Sequence, residues 1–520
     1  MSYWFENAVI YHIYPFGYCG CPRANSFLEL TDGETPNATE TSPILRVIKH
    51  IPVLKKQGFN ALYIGPVFES TRHGYDTADY MKIDSRLGTN EDFALVCREL
   101  KQNGIKVVLD GVFNHVGRDF WAFKDVRKNG LASRYSNWFH LRSGNSGYND
   151  GFFYEGWEGH YDLVKLNLHN PEVKAHLKEA VTKWYNWFGI DGLRLDVAYC
   201  LDANFLKELR VHCKALKPDF WLMGETLHGD YNKWLNPEML DSVTNYECYK
   251  GLFSSFNSLN MFEIAHSLNR QFGSEHWCLY RGKQLYCFVD NHDVSRIASA
   301  LTNPKHLTGI YTLLFTMPGI PGVYYGSEYG IKADKKQGDD ALRPEFDIDD
   351  YYIAGEETSR SHSSEPEPDT GAASPPSPEK IEEWEGPVCP HCGKHTIKKV
   401  KDSAAKDLLS DIKTGNFVTG DSPDMDLPQV ISKLAKAHAT LKPLQTGDYK
   451  QVVLQNQYYA FSRSCGGETV YALINAGSSP AGFNLGGSGK YADALSGEIL
   501  SISEEIKLPP YGAAVLFRAK

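Results

Sequence analysis

The stretch IKVVLD, residues 105–110, decides the fold of this chain. It is a short apolar run rich in β-branched residues that ends in an acid, Asp110. Comparable runs recur along the chain, at residues 9–14, 61–64, 192–195, 220–223, 241–246, 285–289 and 320–325. Short apolar runs bounded by Gly, Pro, Asn or Asp are typical of buried parallel strands.

Helical patterns lie between these runs. Apolar residues recur at intervals of three and four in residues 44–54 and 173–184, and Asn170 precedes the second segment as a candidate N-cap. Thr89 followed by Asp92 resembles a capping box at the start of another helix. Eight strand candidates, each with a following helix candidate, predict an α/β fold of the closed (β/α)8 TIM-barrel type rather than an open doubly wound sheet.

Three segments interrupt the alternation. Residues 115–168 are too long for a simple loop and predict an inserted subdomain after the third strand. Residues 351–427 are rich in Ser, Pro and Glu, contain the motif CPHCGKH, and predict a flexible insertion. Residues 443–520 have strand-like patterns that predict a C-terminal antiparallel β-sandwich. The catalytic barrel then comprises residues 1–114 and 169–442.

The composition excludes several classes of function. The 520 residues carry 54 Lys and Arg against 64 Asp and Glu, and a net charge of −10 argues against a nucleic-acid partner. No apolar run approaches the length needed to cross a membrane, and the N-terminus MSYWFENAVIYHIYP lacks the features of a secretory signal. Eleven scattered cysteines do not form the pattern of a disulfide framework. The expected location is the cytoplasm, and the sequence leaves the oligomeric state open.

Acidic residues follow several of the strand candidates. They are Asp110, Asp196, Glu225 and the two acids of DNHD, residues 290–293. In a barrel these positions converge on one face, where mutual repulsion raises some carboxyl pKa values. Two carboxyl groups in different protonation states are what glycoside cleavage requires. Any one of these acids could instead cap the next helix, but their recurrence, with His115 and His292 nearby, favours a hydrolytic site.

These motifs resemble those of the α-amylase superfamily, glycoside hydrolase family 13. In chain order they are DGVFNH (110–115), GLRLD (192–196), GE (224–225) and FVDNHD (288–293), with GYDTADY (74–80) after the second strand. The sequence VKLN (164–167) is similar to a marker of the neopullulanase, cyclomaltodextrinase and maltogenic-amylase subgroup. That subgroup usually carries an N-terminal β-domain, which we expect to be absent because the first strand candidate begins near residue 9.

The resemblance implies a role for each candidate residue. Asp196 would be the nucleophile, Glu225 the acid and base, and Asp293 the group that stabilises the oxocarbenium-like sugar. Arg194 would keep Asp196 ionised, and Asp110 would bond that arginine. The implied substrate-binding residues are Tyr75, beneath the sugar, His115 and His292, on its hydroxyl groups, and Asp339 with Arg343, on the next sugar. A simple salt bridge in a loop is an alternative for the last pair.

No cofactor is expected to be required, although two metals are considered. Many amylases bind calcium through the residue that corresponds to Asn114. The Lys-His pair that usually follows the nucleophile motif is replaced here by Ala198-Tyr199-Cys200, so the sequence does not support that site. A structural zinc ion bound by Cys19, Cys21, Cys389 and Cys392 is a separate hypothesis. Four reduced thiols in loops are its alternative.

The sequence therefore predicts a retaining hydrolase of α-1,4-glucosidic bonds, with α-1,6 bonds as a further option. Its substrates would be α-glucans, namely maltodextrins, starch fragments, pullulan or cyclodextrins. One alternative is a 4-α-glucanotransferase, in which a sugar hydroxyl replaces water in the second step. The other is a non-catalytic glucan-binding or scaffold protein.

Overall fold

A computed structural model describes residues 3–27, 42–354, 415–417, 426–502 and 505–519. Its centre is an eight-stranded parallel sheet of β1 (Ile10–Ile13), β2 (Ala61–Ile64), β3 (Lys106–Gly111), β4 (Gly192–Leu195), β5 (Trp221–Gly224), β6 (Ser242–Val243), β7 (Tyr286–Phe288) and β8 (Ile320–Tyr324). Each strand pairs with its neighbour in the order β6-β5-β4-β3-β2-β1-β8-β7. A parallel bridge between Thr244 and Tyr286 joins the ends of this series, so the predicted barrel is confirmed.

Helices surround the barrel. They are α1 (Arg46–Gln57), α2 (Asn90–Gln102), α3 (Pro171–Phe188), α4 (Ala203–Leu216), α5 (Tyr246–Asn257), α6 (Phe262–Phe272), α7 (Leu307–Thr316) and α8 (Leu427–Thr440). Helix α8 packs against both α1 and α7, which completes the ring on the far side of the insertion that follows β8. Large apolar residues such as Trp184 and Leu313 fill the layer between strands and helices.

Local signals in the sequence explain where two helices begin. The hydroxyl of Thr89 accepts a hydrogen bond from the Asp92 backbone N–H, and the Asp92 carboxylate accepts one from the Thr89 backbone N–H, which is the predicted capping box of α2. At the start of α3, the Asn170 side chain accepts a hydrogen bond of 2.8 Å from the backbone N–H of Glu172. Both predictions are confirmed.

The prediction of a helix after every strand is wrong between β5 and β6. In the described structure this connection contains only a short 3-10 turn, Tyr231–Lys233. Gly229 has a φ of +95°, which lies outside the helical region, and Pro237 cannot continue a helix because it lacks a backbone N–H. The chain therefore returns from the end of β5 to the start of the parallel strand β6 without a helix.

An inserted subdomain lies between β3 and β4, as expected. It contains the helix Trp121–Asn129 and a three-stranded antiparallel sheet of His115–Gly117, His160–Lys165 and Gly156–Trp157. A second antiparallel pair joins Leu141–Arg142 to Phe153–Tyr154. Another hairpin, Phe68–Ser70 with Thr77–Ile83, stands between β2 and α2.

The C-terminal part is an antiparallel β structure, as predicted. It contains β9 (Asp448–Leu454), β10 (Tyr458–Cys465), β11 (Glu468–Asn475), β12 (Ala481–Phe483), β13 (Gly489–Asp493), β14 (Ile499–Ile502), β15 (Ile506–Leu508) and β16 (Ala513–Arg518). Six of these strands form a sheet in the order β9-β10-β11-β16-β13-β14, and β12 pairs with β15. Phe483 from the small sheet and Leu473 and Leu516 from the large one share one apolar cluster. The first strand follows the short helix Lys442–Thr446.

The insertion after β8 leaves and returns through paired strands. Tyr352–Ala354 pairs antiparallel with Gly415–Phe417. Residues 355–414 and 418–425, with the motif CPHCGKH, lie outside the described residues. The prediction that this segment is flexible concerns these residues and stays a prediction. Within the described ranges, no helix combines the length and apolarity that crossing a membrane requires.

Candidate active site

A cavity of about 970 Å³ opens at the C-terminal ends of the barrel strands. The three predicted catalytic acids, Asp196, Glu225 and Asp293, line it. Asp196 follows β4 directly, Glu225 follows β5 directly, and Asp293 lies in the loop after β7. Parallel strands end on the same face of a barrel, which is why acids that are distant in sequence meet there.

Arg194 is the centre of this cluster. It stands on β4 opposite Asp110 of β3 in the strand register, and its side chain is buried. Its Nη1 donates to Asp110 Oδ1 and to Asp196 Oδ1, each at 2.9 Å. Its Nη2 lies 2.9 Å from Glu225 Oε2. One guanidinium therefore fixes the candidate nucleophile, the candidate acid and the supporting Asp110, whose predicted bond to Arg194 is confirmed.

The backbone after β4 also orients Glu225. Val197 adopts the left-handed conformation with a φ of +39°, and its N–H donates to Glu225 Oε2 at 2.8 Å. The Val197 and Arg194 contacts both fall on Oε2 of Glu225, which lines the cavity. The strained backbone at Val197 thus helps to orient the Glu225 carboxyl group.

Burial raises the pKa of both Asp196 and Glu225. Arg194 opposes this rise for both groups, but the neighbouring carboxylates, Asp293 among them, add to it. Arg194 thus lowers the pKa of Asp196, which is the expected direction, but it does not outweigh burial, and the ionised state of Asp196 stays a prediction. The pair retains a shared proton at a pH where isolated carboxyl groups have lost theirs.

Asp293 has the opposite electrostatic environment. Burial raises its pKa, but His292 and Arg343 outweigh burial and lower the pKa below its ordinary value. His292 Nε2 lies 3.0 Å from Asp293 Oδ2, and Arg343 Nη2 lies 3.0 Å from Oδ1. Asp293 is thus a fixed negative charge beside a pair that retains a proton.

Tyr75 and His115 line the cavity, and His292 is buried against Tyr75 and Asp293. The Tyr75 ring stacks on the His292 ring with centroids 5.5 Å apart, and its hydroxyl donates to Asp110 Oδ2 at 3.1 Å. His115 Nε2 lies 3.8 Å from Asp196 Oδ2. Burial lowers the pKa of His115 to about 3, so its ring is neutral and can serve a sugar hydroxyl as a hydrogen-bond partner.

Asp339 and Arg343 lie farther along the cavity wall. Arg343 Nη2 is 3.6 Å from Asp339 Oδ2, and Asp339 also forms an ion pair with Lys335. The structure thus contains the salt bridge that was the alternative interpretation and places it in the cavity wall. Binding of the next sugar by this pair stays a prediction.

Several cavity residues were missed by the sequence analysis. They are Tyr14, Trp157, Leu227 and Tyr246. Tyr14 follows β1 directly, and Tyr246 follows β6 by three residues, so the rule that found the acids could have found both. The hydroxyl of Tyr246 accepts a hydrogen bond of 3.0 Å from Asn291 Nδ2. Trp157 comes from the inserted subdomain, where no strand-end signal exists.

The metal hypotheses gain no support from the described residues. Cys19 is buried, and the Cys21 thiol donates to the carbonyl oxygen of Arg86 at 3.3 Å, while Cys389 and Cys392 lie outside the described ranges. In the part of the chain that the structure describes, no three His, Cys, Asp or Glu side chains are grouped to hold a metal. The Asn114 side chain contacts His115 Nδ1 at 3.1 Å. Calcium binding at Asn114 stays an untested prediction.

Comparison with known proteins agrees with this geometry. Residues 37–369 match the family described as the α-amylase catalytic domain. The chain belongs to the α-amylase family. It is 32% identical over 343 residues to a cyclomaltodextrinase of Geobacillus thermopakistaniensis, covering 63% of this chain and 57% of that protein. It is 32% identical over 347 residues to a maltogenic α-amylase of Bacillus acidopullulyticus, covering 64% and 58%. The chain thus spans less than two thirds of the length of these relatives.

Solved structures show the same family fold. A cyclomaltodextrinase structure aligns with a TM-score of 0.72 at 25% identity, over 99% of this chain and 78% of that one. A cyclic α-maltosyl-(1→6)-maltose hydrolase from Arthrobacter globiformis aligns with a TM-score of 0.70 at 24% identity, over the whole of both chains. The second likeness concerns the fold alone.

Proposed function

We propose that this chain is a retaining glycoside hydrolase that cleaves α-glucosidic bonds of maltodextrins. The observation that carries the proposal is the contact of one guanidinium, that of Arg194, with both Asp196 and Glu225. A retaining mechanism needs two carboxyl groups about 5–5.5 Å apart on either side of the bond that breaks. Asp196 contacts one terminal nitrogen of the Arg194 guanidinium and Glu225 contacts the other, so the two carboxyl groups are close enough to act on a single sugar.

The first step forms a glycosyl–enzyme ester. The carboxylate of Asp196 attacks the anomeric carbon, and the bond between that carbon and the glycosidic oxygen breaks. Glu225 gives its proton to the departing oxygen, and its raised pKa favours the protonated form that this step needs. The fixed negative charge of Asp293 stabilises the positive charge that develops on the sugar.

The second step releases the sugar. Glu225, now ionised, takes a proton from a water molecule whose oxygen attacks the anomeric carbon. The ester bond to Asp196 breaks, and both carboxyl groups return to their starting states. Tyr75 and His292 position the sugar during both steps.

The proposed substrates are short α-1,4-glucans, with pullulan and cyclodextrins as further candidates. Relatives of this chain bear the names cyclomaltodextrinase, maltogenic α-amylase and neopullulanase, and these names support the choice of substrates. A Bacillus subtilis relative, 32% identical over 295 residues, is named an intracellular maltogenic amylase, and we propose a cytoplasmic location for this chain as well.

A 4-α-glucanotransferase is the second candidate. It uses the same ester, and the sugar hydroxyl of an acceptor replaces water. Tyr199 and the partly exposed Leu227 line the cavity near Glu225 and offer a surface on which an acceptor could lie. A product profile separates the two candidates, because transfer from maltotriose yields chains longer than the substrate.

The test is the product profile on maltotriose, pullulan and β-cyclodextrin for the wild type and for Glu225→Gln. Removal of the proton donor should lower turnover of these substrates by about 100- to 10,000-fold. Glu238→Gln is a matched control, since Glu238 lies in the same connection but is exposed and paired with Lys207. Equal activity of Glu225→Gln and the wild type would refute the proposed function.

A further inference from the structure

The side of the cavity next to Glu225 differs in chemistry from the side next to Asp293. On the Asp293 side, Arg343, Asp339 and Lys335 form a chain of ion pairs. Leu227, two residues after Glu225, lines the cavity, and so do the aromatic side chains of Tyr199 and Trp157. Leu227 keeps 37% of its surface exposed and lines the cavity.

The chemistry of the proposed reaction identifies the Glu225 side as the leaving-group side. Glu225 protonates the departing oxygen, so the departing saccharide begins beside Glu225. Leu227 follows Glu225 by two residues, and Tyr199 follows Asp196 by three. Tyr199 and Glu225 line the same cavity, and burial, Cys200, Glu158 and Glu225, in that order, raise the pKa of Tyr199.

The turn after Asp196 places the Tyr199 ring in the cavity wall. Val197 is in the left-handed conformation, and the short turn Ala198–Cys200 follows it. Ala198 is fully buried, whereas Tyr199 is half-buried and lines the cavity.

The inserted subdomain holds Tyr199 from the other side. The Tyr199 hydroxyl donates to Glu158 Oε1 at 3.3 Å. Glu158 and Gly159 connect Gly156–Trp157 to His160–Lys165, and both have positive φ values, +48° and +88°. The first position of such a turn favours Asn, Asp or Gly, so a glutamate there is strained. The Glu158 side chain accepts the hydrogen bond from Tyr199 in this conformation.

We propose that Tyr199, held by Glu158, is the stacking platform for the departing saccharide and then for an acceptor saccharide that competes with water. In the transfer step the acceptor hydroxyl oxygen bonds to the anomeric carbon, the ester bond to Asp196 breaks, and the hydroxyl proton passes to Glu225. An aromatic face suits the apolar face of a glucose ring. Tyr199 thereby sets the ratio of transfer to hydrolysis. This inference rests on the proposed function.

The experiment compares maltotriose with α-maltosyl fluoride, whose leaving group is a fluoride ion and not a sugar. Tyr199→Ala should lower kcat/KM for maltotriose by about tenfold and reduce the yield of longer chains. The same variant should change kcat/KM for α-maltosyl fluoride by no more than about twofold, because fluoride needs no platform. Tyr148→Ala is the matched control, since Tyr148 is half exposed on the same subdomain and does not line the cavity.

Two further variants separate the ring from its support. Tyr199→Phe keeps the ring and loses the hydroxyl. Glu158→Gly removes the carboxylate that accepts the hydrogen bond of the Tyr199 hydroxyl, and it relieves the strained backbone at residue 158. Both should retain most of the activity on maltotriose and yet show a lower ratio of transfer to hydrolysis, with a melting temperature for Glu158→Gly at or above that of the wild type.

The outcomes distinguish this inference from the proposed function. Equal losses on both substrates in Tyr199→Ala, or no loss on either, would overturn the inference and leave the hydrolase in place. A wild-type protein that cleaves neither substrate would overturn the proposed function and the inference with it.

Discussion

Arg194 Nη2 lies 2.9 Å from Glu225 Oε2, and this ion pair links neighbouring strands of the barrel. The other terminal nitrogen of the same guanidinium contacts Asp196. The spacing of the two carboxyl groups is therefore set by one rigid, planar group whose donors point in fixed directions.

Replacement of Arg194 by lysine should separate its charge from its geometry. An ammonium group keeps the positive charge but cannot hold three carboxyl groups at fixed angles, so kcat should fall by about 100- to 1,000-fold. Steady-state kinetics on maltotriose checks this. Arg210→Lys is the control, because Arg210 bonds Asp241 and the Met239 carbonyl outside the cavity. Equal effects of the two substitutions would show that the Arg194 contacts have no special role.

The pH dependence of kcat/KM should report the shared proton. Burial and neighbouring carboxylates raise the pKa of Asp196 and Glu225, so the alkaline loss of activity should lie above the ordinary carboxyl range. Asp293→Asn removes a charge that raises both pKa values, and the alkaline limb of its residual activity should move to lower pH. The control is Asp340→Asn at the cavity rim, where Asp340 pairs with Arg23. An upward shift in Asp293→Asn would contradict this electrostatic account.

Much of the fold and the site could be predicted from particular residues. The acids at 110, 196 and 225 end apolar runs, and parallel strands must end on one face, so their convergence follows from periodicity alone. Two helix caps could also be predicted, those formed by Thr89 with Asp92 and by Asn170. Each cap joins residues no more than three positions apart, so the pattern is visible in the sequence.

Other features depend on contacts that a linear sequence does not record. Trp157 reaches the cavity through a turn at Glu158, where a glutamate gives no turn signal. The raised pKa of Asp196 is the sum of burial and several charges whose distances exist only in the folded chain. The missing helix after β5 reflects Gly229 and Pro237, which interrupt a connection that alternation alone would have made helical.

Glu328 should make the stability of the protein depend on pH. It is fully buried after β8, accepts a hydrogen bond from Tyr11, and burial raises its pKa from 4.5 to about 7. Between these values the folded state holds a proton that the unfolded state has lost, so stability falls as the pH rises from 4.5 through about 7.

Glu328→Gln removes that titration and keeps an oxygen for the Tyr11 hydroxyl. Its thermal midpoint should match the wild type below pH 4.5 and exceed it above pH 7, by the equivalent of about 3 kcal/mol. Glu238→Gln, on the surface, should change the thermal midpoint little at either pH. A Glu328→Gln variant that is less stable than the wild type at alkaline pH would refute this prediction.

The most direct test of the central claim is mass spectrometry of Glu225→Gln after reaction with α-maltosyl fluoride. Fluoride leaves without a proton donor, but release of the sugar needs Glu225 as a base, so the glycosyl–enzyme should accumulate. The account predicts a mass increase of one maltosyl unit on the peptide that contains Asp196. An adduct on Asp293 or on another residue, or turnover of the fluoride with no adduct, would contradict it.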